Sequence, residues 1–312
     1  MLDTRSDSIL TTWSAHHASL FGSETLCLDH RLHMSPLFTN EALASLLETV
    51  DREDYHVNLM DGGRRREGDL GGISGADALR AVRNGEIWIN LRAPDRANPA
   101  YREILDAIYD EFETRVDGFH TFRRNMTILI SSPKVRVKYH LDVPGQTLWQ
   151  IRGLKRVYVY PARPPFLPQA ALEKVVIGET HETDMAYQPW FDDYAKTVDL
   201  EPGQMLHWPL NAPHRVENAD CLNVSVTTEH WTPQLRNTYA VNFANGMMRK
   251  AGLSPRARPE RGPGLWSRLG LAAAVKASGL QKRGAKPYTI DFAVDPDAPR
   301  GARDIPARTL RK

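Results

Sequence analysis

The chain has 312 residues, of which 41% are apolar, enough to bury a sizeable core in one large domain with extensions. Its two cysteines, Cys27 and Cys221, lie far apart without CxxC or CxxxC spacing, so the sequence indicates neither a disulfide framework nor a cysteine zinc site. The formal charge of +2 hides an asymmetry, because residues 249–312 carry 15 Lys/Arg against 5 Asp/Glu.

The N-terminal part, residues 1–120, is predicted to be mostly helical and to pack on a barrel. The segments TNEALASLLETVDRE, with Thr39 or Asn40 as the cap, and NPAYREILDAIYDEFETR have helical apolar spacing, and EIWINLR between them has the pattern of a strand. We interpret GGRRREGDLGGISG, from Gly62, as a mobile surface loop. The first residues contain no apolar run long enough for a signal peptide, and no later stretch reaches membrane-spanning length, so we expect a cytoplasmic protein without membrane contact.

Residues 121–232 change to short strands separated by Pro and Gly, which predicts a mainly β fold with flanking helices and a double-stranded β-helix core of the cupin or jelly-roll type. The predicted strands are NMTILIS, KVRVKYHLD, QTLWQIRG, KRVYVYP, MAYQP, TVDLEPGQMLHWP and CLNVSVTTEHW. The insert before MAYQP has a helical pattern, and the charges of HETD and WFDDY within it are typical of solvated loops.

Two C-terminal helices are predicted within residues 233–285, in TPQLRNTYAVNFANGMMRK and LWSRLGLAAAVKASGL. The second is weakly amphipathic, so it would pack on the domain or on a twin subunit in a homodimer. Residues 286–312 are expected to form an extended or disordered basic tail. This tail lacks the interleaved aromatic residues of a nucleic-acid stacking surface, so solvated charge is favoured over nucleic-acid binding.

The segment KYHLD places two ionisable side chains, His140 and Asp142, on the same face of one predicted strand. Burying an unpaired carboxylate beside an imidazole costs several kcal/mol, on the order of what a bound cation would repay. These residues make two-thirds of the facial triad that holds non-haem Fe(II). The segment LEPGQMLHWPLNAPHRVEN offers His214 after a Pro-rich corner as the third ligand, with His207 as its competitor.

Three protein ligands on an octahedral ion leave three open positions, which a bidentate 2-oxo acid and dioxygen require. The far carboxylate of such a co-substrate needs a buried cation. Lys155 shares a strand face with Val157 and Val159, so we expect it to be buried with a partner, whereas Arg156 fits an ordinary surface residue.

The run HLDVPGQTLWQIRGLKRVYVYP, with the later LEPGQMLHWPLNAPHRVEN, resembles the HxD, lysine and PH segments of the JmjC and cupin-like 2-oxoglutarate oxygenases. The resemblance covers about residues 84–231 and is strongest to the group that includes the asparaginyl hydroxylase of hypoxia signalling. It implies a double-stranded β-helix, Fe(II) at His140, Asp142 and His214, and 2-oxoglutarate held by Lys155.

The sequence departs from this family at two positions near the co-substrate. Gln146 stands where relatives often have Asn or a hydroxyl residue, and Val137 stands where some have a hydroxyl donor. Trp88 falls where relatives have an aromatic residue at the edge of the co-substrate, although burial statistics favour a plain core tryptophan at this position.

The function expected from the site is a 2-oxoglutarate-dependent dioxygenase that uses Fe(II) to hydroxylate a C–H bond of a protein or small molecule, releasing succinate and CO2. His140, Asp142 and His214 would be its catalytic metal ligands, and Lys155, Gln146 and Trp88 would bind the co-substrate. Its partners would be 2-oxoglutarate, dioxygen and an unidentified substrate. The alternatives are a metal-dependent cupin enzyme that does not use 2-oxoglutarate and a non-enzymatic binding or regulatory barrel.

Overall fold

The structure, a computed structural model, describes residues 8–61, 64–279 and 288–310. The α-helices in these ranges are α1 (Ala15–Leu20), α2 (Asn40–Thr49), α3 (Gly75–Asn84), α4 (Ala100–Arg115), α5 (Gln169–Ile177), α6 (Pro233–Lys250) and α7 (Gly262–Ala277). The strands are β1 (Leu26–Asp29), β2 (Tyr55–Asp61), β3 (Arg64–Asp69), β4 (Ile87–Arg92), β5 (Arg123–Ser131), β6 (Arg136–His140), β7 (Gly145–Arg152), β8 (Lys155–Val159), β9 (Lys196–Leu200), β10 (Gln204–His207), β11 (His214–Asn218), β12 (Asn223–Trp231), β13 (Tyr288–Val294) and β14 (Ala302–Leu310).

The strands form two sheets of unequal size. The large sheet has ten strands in the order β1-β10-β7-β12-β5-β4-β2-β3-β13-β14, and the small sheet has four in the order β6-β11-β8-β9. The pairings are antiparallel except that β13 runs parallel to β3. The small sheet is interleaved in sequence with β7, β10 and β12 of the large sheet, which is the connectivity of a jelly roll.

The two sheets face each other across a narrow apolar core. Leu148 of β7 and Leu206 of β10 pack in one cluster with Val157 and Val159 of β8. Because side chains alternate along a strand, the neighbouring Trp149 points to the opposite face of the large sheet. Side chains that share a strand face with these four residues therefore point into the space between the two sheets.

The outer face of the large sheet is covered by helices. In α4, Ile104 and Ile108 recur at the spacing of one helix face and are 3% and 1% exposed, so the apolar pattern that predicted this helix also buries it. Thr39 caps α2 by accepting a hydrogen bond from the backbone N–H of Ala42 at 3.2 Å, as predicted. In the described part of the chain, none of the helices combines the length and the apolar character needed to cross a membrane.

Three segments differ from the sequence expectations. Residues 64–69, interpreted as loop, form β3, whose Gly68 leaves room for the ring of Phe292 in β13. Residues 185–189 (MAYQP) form no strand. Residues 288–310, within the segment expected to be extended or disordered, form the ordered hairpin β13–β14 because Phe292 buries completely against the large sheet.

The N-terminal part also differs from its predicted, mostly helical character. It contributes β1 to β4 to the large sheet in addition to α1 to α4. Strand β4 lies beside β5, so the N-terminal part and the predicted barrel segment share one continuous sheet. The predicted β4, α2 and α4 are confirmed.

Candidate metal centre

Strand pairing places the two histidines of the site side by side. His140 ends β6 and His214 begins β11, and the two are direct partners in the antiparallel register. Asp142 follows β6 by two residues. Asn211, in the left-handed backbone conformation with φ of 59°, donates a hydrogen bond from Nδ2 to the carbonyl of Asp142 at 2.6 Å. The Pro-rich corner before β11 thus holds the loop that carries the aspartate.

The three side chains converge on one point. Each offers a ligand atom, and these atoms all lie within 4.8 Å of one another. Nε2 of His214 is 3.2 Å from Oδ2 of Asp142, and the centroids of the His140 and His214 rings are 4.1 Å apart. In the described ranges this is the single cluster of His, Cys, Asp and Glu with such spacing.

Hydrogen bonds to backbone carbonyls set the tautomer of both histidines. Nδ1 of His140 lies 2.7 Å from the carbonyl of Lys138, and Nδ1 of His214 lies 3.1 Å from the carbonyl of Ala212. A carbonyl only accepts, so each Nδ1 must carry the hydrogen and each Nε2 presents a lone pair.

This assignment leaves two acceptors facing each other, Nε2 of His214 and Oδ2 of Asp142. That carboxylate oxygen is buried and has no hydrogen-bond partner within the described part of the chain. A buried carboxylate without a partner, opposite an imidazole lone pair, is unfavourable unless a cation lies between the two acceptors. The arrangement therefore indicates a cation-binding site. Two imidazole nitrogens and one carboxylate oxygen fit a divalent first-row transition metal, the set that holds non-haem Fe(II) with open positions.

The pKa values of His140 and Asp142 put these two groups in their ligating form near neutral pH. Burial, helped by the neighbouring His214, lowers the pKa of His140 to about 4. Burial by itself would raise the pKa of the Asp142 carboxyl, but the adjacent His214 and His140 hold it below its usual value. A neutral imidazole and an ionised carboxylate need no proton removed before binding a metal.

A second network fixes β11 from its outer face. Arg215, next to His214, pairs with Asp192 through Nη2 and Oδ2 at 2.6 Å, and the Tyr160 hydroxyl donates to Oδ1 of the same carboxylate at 2.6 Å. Asp192 belongs to WFDDY, whose charges were expected to be solvated. The structure instead gives this carboxylate three polar partners, because Tyr187 also donates to it at 2.8 Å.

Lys155 is buried in the inner core, at 5% exposure, on the same strand face as Val157 and Val159. Burial lowers its pKa to about 8. In the described ranges no carboxylate pairs with it, whereas the adjacent Arg156 is exposed and binds Asp199 at 2.6 Å. The expectation that Lys155 would face inward and Arg156 outward is confirmed.

The register relates this lysine to the metal ligands. His214 pairs with Val159, and Lys155 begins the same strand four residues earlier, opposite Asn218. At 3.3 Å per residue the two backbone positions are roughly 13 Å apart. The lysine side chain and an extended dicarboxylate would together span that distance inside the barrel.

Gln146 and Trp88 lie on the inner face of the large sheet. Gln146 shares a strand face with Leu148 and is 9% exposed, and its Oε1 has no hydrogen-bond partner. Trp88 is half-buried and points away from the core under the helices, where its neighbours Ile87 and Ile89 lie. The plain core tryptophan that burial statistics favoured is therefore not what the structure shows, because Trp88 lies outside that cluster.

His207, the competitor for third ligand, has a structural role. It is 3% exposed and stacks on Phe21 with ring centroids 4.0 Å apart. Its Nδ1 lies 3.2 Å from the carbonyl of Gln146, and burial lowers its pKa to about 4. It lies outside the ligand cluster of His140, Asp142 and His214.

An interior carboxylate, Glu229 of β12, was not predicted from the sequence. It pairs with Gln146 in the register, and its pKa is raised by burial and by the charge of Asp142. The alternation of Ser225, Thr227 and Glu229 was a usable signal, since polar residues at every second position of a strand mark one common face.

Comparison with known proteins gives a relationship in fold. The chain matches no known protein-family profile and no curated protein. It is similar to the X-ray structure of YcfD from Escherichia coli, with a TM-score of 0.51 and 15% identity, over 88% of this chain and 70% of that one.

Two further structures of YcfD, described as a ribosomal oxygenase, contain cobalt with succinic acid and cobalt with 2-oxoglutarate. They are 16% and 14% identical, with a TM-score of 0.49 in each case, over 93% of this chain and 75% of theirs. At 15% identity, the match to the X-ray structure of YcfD shows a similarity of fold.

Proposed function

We propose that this protein is an Fe(II)- and 2-oxoglutarate-dependent dioxygenase that hydroxylates a C–H bond of a protein or small-molecule substrate. The observation that carries the proposal is that two histidine lone pairs meet an unpartnered carboxylate oxygen. The same core holds a buried lysine that has no counter-ion among the described residues. In this proposal the two facing sheets are a double-stranded β-helix, with residues 121–232 as the catalytic core.

The donor set selects the metal and the class of reaction. His140, Asp142 and His214 would hold Fe(II) and leave three positions for 2-oxoglutarate and dioxygen. Iron in such a site couples the oxidative decarboxylation of 2-oxoglutarate, with succinate and CO2 as products, to hydroxylation of a substrate.

The chain's own residues would position the co-substrate and exclude water. Lys155 would pair with its distal carboxylate, and this pairing would keep the ammonium charged in an apolar core. Gln146 offers an amide on the same inner face, and Trp88 would form the edge of the pocket. None of the chain's groups is required as a separate general acid or base.

Buried Lys155 distinguishes the proposal from its two alternatives. A cupin enzyme that does not use 2-oxoglutarate needs no cation in the barrel, and a metal-poor binding barrel needs neither the lysine nor the orphaned carboxylate. The similar fold of YcfD, a protein described as a ribosomal oxygenase, supports the oxygenase reading.

Anaerobic titration tests the proposal. Fe(II)-loaded protein titrated with 2-oxoglutarate should develop a weak visible charge-transfer band. Lys155→Met should weaken co-substrate binding without removing the metal, while Arg156→Met, the exposed neighbour, should leave the band unchanged. A protein that binds Fe(II) but gives no band would contradict the use of 2-oxoglutarate, and one that binds no divalent metal would contradict the enzyme.

We also propose a cytoplasmic location and a homodimer formed through α6 and α7. The supporting observation is Trp266 of α7, which is 71% exposed beside the small residues Gly270 and Ala273 on the same helix. Light scattering tests the dimer, since Trp266→Ser should shift the mass toward that of one chain.

A further inference from the structure

A large cleft lies beside the metal centre, between α5, α6 and the segment 251–261 that precedes α7. Its volume is about 1030 Å³, at the upper end of the range for ligand sites. Buried apolar residues form its floor, among them Leu172, Val241 and Leu265. Its rim carries three exposed arginines, Arg163, Arg258 and Arg261, and we call the whole feature the arginine cleft.

The wall formed by segment 251–261 is attached to the helices by side chains. Asn245 of α6 donates from Nδ2 to the carbonyl of Ala257 at 3.0 Å, and Arg249 donates from Nη2 to the carbonyl of Pro255 at 3.1 Å. Arg249 is itself held by Glu173, 1% exposed, through Nε and Oε2 at 2.8 Å. The cleft is therefore a built feature of the fold, held open by buried polar contacts.

The charged residues of the arginine cleft favour an anionic ligand. Three arginines stand against one carboxylate, Glu260, and over the described ranges none of the three arginines has an acidic partner. The exposed Arg156, by contrast, is paired with Asp199. Unpaired guanidinium groups around one cavity favour carboxylates or phosphates as ligands.

The other lining residues favour a polypeptide over a nucleic acid. Gln234, Asn237 and Thr238 of α6 present amide and hydroxyl groups that can pair with a peptide backbone. None of the described lining residues is aromatic, so the cleft lacks the rings on which unpaired bases stack.

We propose that the arginine cleft binds an acidic polypeptide segment in extended conformation. Asn211 connects the cleft to the metal centre, because it lines the cleft and also donates to the carbonyl of Asp142 at 2.6 Å. A bound segment would thus lie beside the aspartate loop, with its acidic residues at the rim and its apolar residues on the floor. Assigning this segment to the substrate rests on the proposed oxygenase function, whereas the binding itself does not.

Fluorescence anisotropy with the metal-free protein tests the binding. The probe is a short fluorescein-labelled peptide of alternating glutamate and serine, with a lysine–serine peptide as its control. Removing the three rim charges should weaken binding about tenfold, and added salt should weaken binding to the unmodified protein. The cleft variant combines Arg163→Gln, Arg258→Gln and Arg261→Gln. The matched control removes three exposed arginines elsewhere and should bind as the unmodified protein does: Arg31→Gln, Arg83→Gln and Arg136→Gln.

A second variant distinguishes peptide binding inside the cleft from nonspecific electrostatic attraction to the protein surface. Thr238→Trp keeps every charge but fills the cleft from the exposed surface of α6, so it should also abolish peptide binding. Equal binding by Thr238→Trp and the unmodified protein would overturn the proposal, as would equal weakening by the two triple variants. Tighter, arginine-dependent binding of a labelled single-stranded oligonucleotide would overturn it in favour of nucleic acid.

These measurements use no iron or 2-oxoglutarate, so they stand apart from the test of the oxygenase. Loss of the charge-transfer band with intact peptide binding would refute the oxygenase alone. A normal charge-transfer band without peptide binding would refute the assignment of the arginine cleft alone. Circular dichroism of each variant identifies any that fail to fold.

Discussion

Replacing Lys155 with methionine should stabilise the metal-free protein while removing the cation of the proposed co-substrate site. Burial lowers the pKa of Lys155 from 10.5 to about 8, so below pH 8 the folded state carries a charge that the core disfavours. One pKa unit corresponds to about 1.4 kcal/mol, which puts the cost at about 3 kcal/mol near neutral pH. Methionine fills similar space without charge, so Lys155→Met should recover up to that amount.

The stability of the unmodified protein should depend on pH through this lysine. Between pH 8 and 10.5 the unfolded chain binds more protons at this lysine than the folded protein does, so the free energy of unfolding should rise with pH in that window. Lys155→Met should lack this rise. Urea unfolding of both proteins at pH 7 and at pH 10 measures the difference, which should shrink toward zero at the higher pH.

A control substitution at an exposed lysine and the addition of 2-oxoglutarate test the same reasoning about Lys155. Lys174→Met, at an exposed position of α5, should change the stability by less than about 0.5 kcal/mol. Adding 2-oxoglutarate to the metal-loaded proteins should further stabilise the unmodified protein but not Lys155→Met. A loss of more than about 1 kcal/mol in metal-free Lys155→Met would refute the reasoning, since it would mean that the ammonium already has a favourable partner.

Three more outcomes follow from the structure. Asp142→Asn should weaken Co(II) binding by at least about 100-fold in calorimetry while leaving the metal-free fold intact, because its carboxylate oxygen has no protein hydrogen-bond partner to lose. Gly153→Ala should lower the free energy of unfolding by about 2 kcal/mol or more, because its φ of 77° strains an alanine and the added Cβ would clash with the carbonyl of Leu222. Gly72→Ala is the control: its φ is 71° but the space around it is open, so the free energy of unfolding should fall by only about 1 kcal/mol. Acid should destabilise the fold between pH 6.5 and 4, because burial lowers the pKa of His207 to about 4 and the unfolded state binds more protons in this range. The free energy of unfolding should fall by about 2 kcal/mol at pH 5 for such a histidine. Equal urea midpoints at pH 7 and pH 5 would contradict this prediction.

The ligand cluster could be predicted from sequence because its parts are local. His140 and Asp142 stand two residues apart at one strand end, and a short Pro-rich corner delivers His214. The burial of Lys155 also followed from local alternation with two valines. Choosing His214 over His207 agrees with the structure, in which the ring of His207 is stacked in the core under the helices.

Features that depend on distant partners could not be predicted. Strand β3 consists mainly of charged residues and exists because β2 and β13 pair with its two edges. Asp192 is in a charged loop, and only the fold shows that Arg215 and Tyr160 converge on it. The arginine cleft joins residues from separate helices and loops, so no sequence window contains its pattern.

The hairpin β13–β14 has a consequence for biosynthesis. Its contacts with β3 join residues 225 positions apart, as in the bond between Arg66 and Asp291. During translation the β3 edge therefore emerges long before its partner does, and an unpaired edge is a template for pairing with other chains. Stretching this interval by slow decoding should increase aggregation of the nascent chain, and a chaperone that shields strand edges should counteract it.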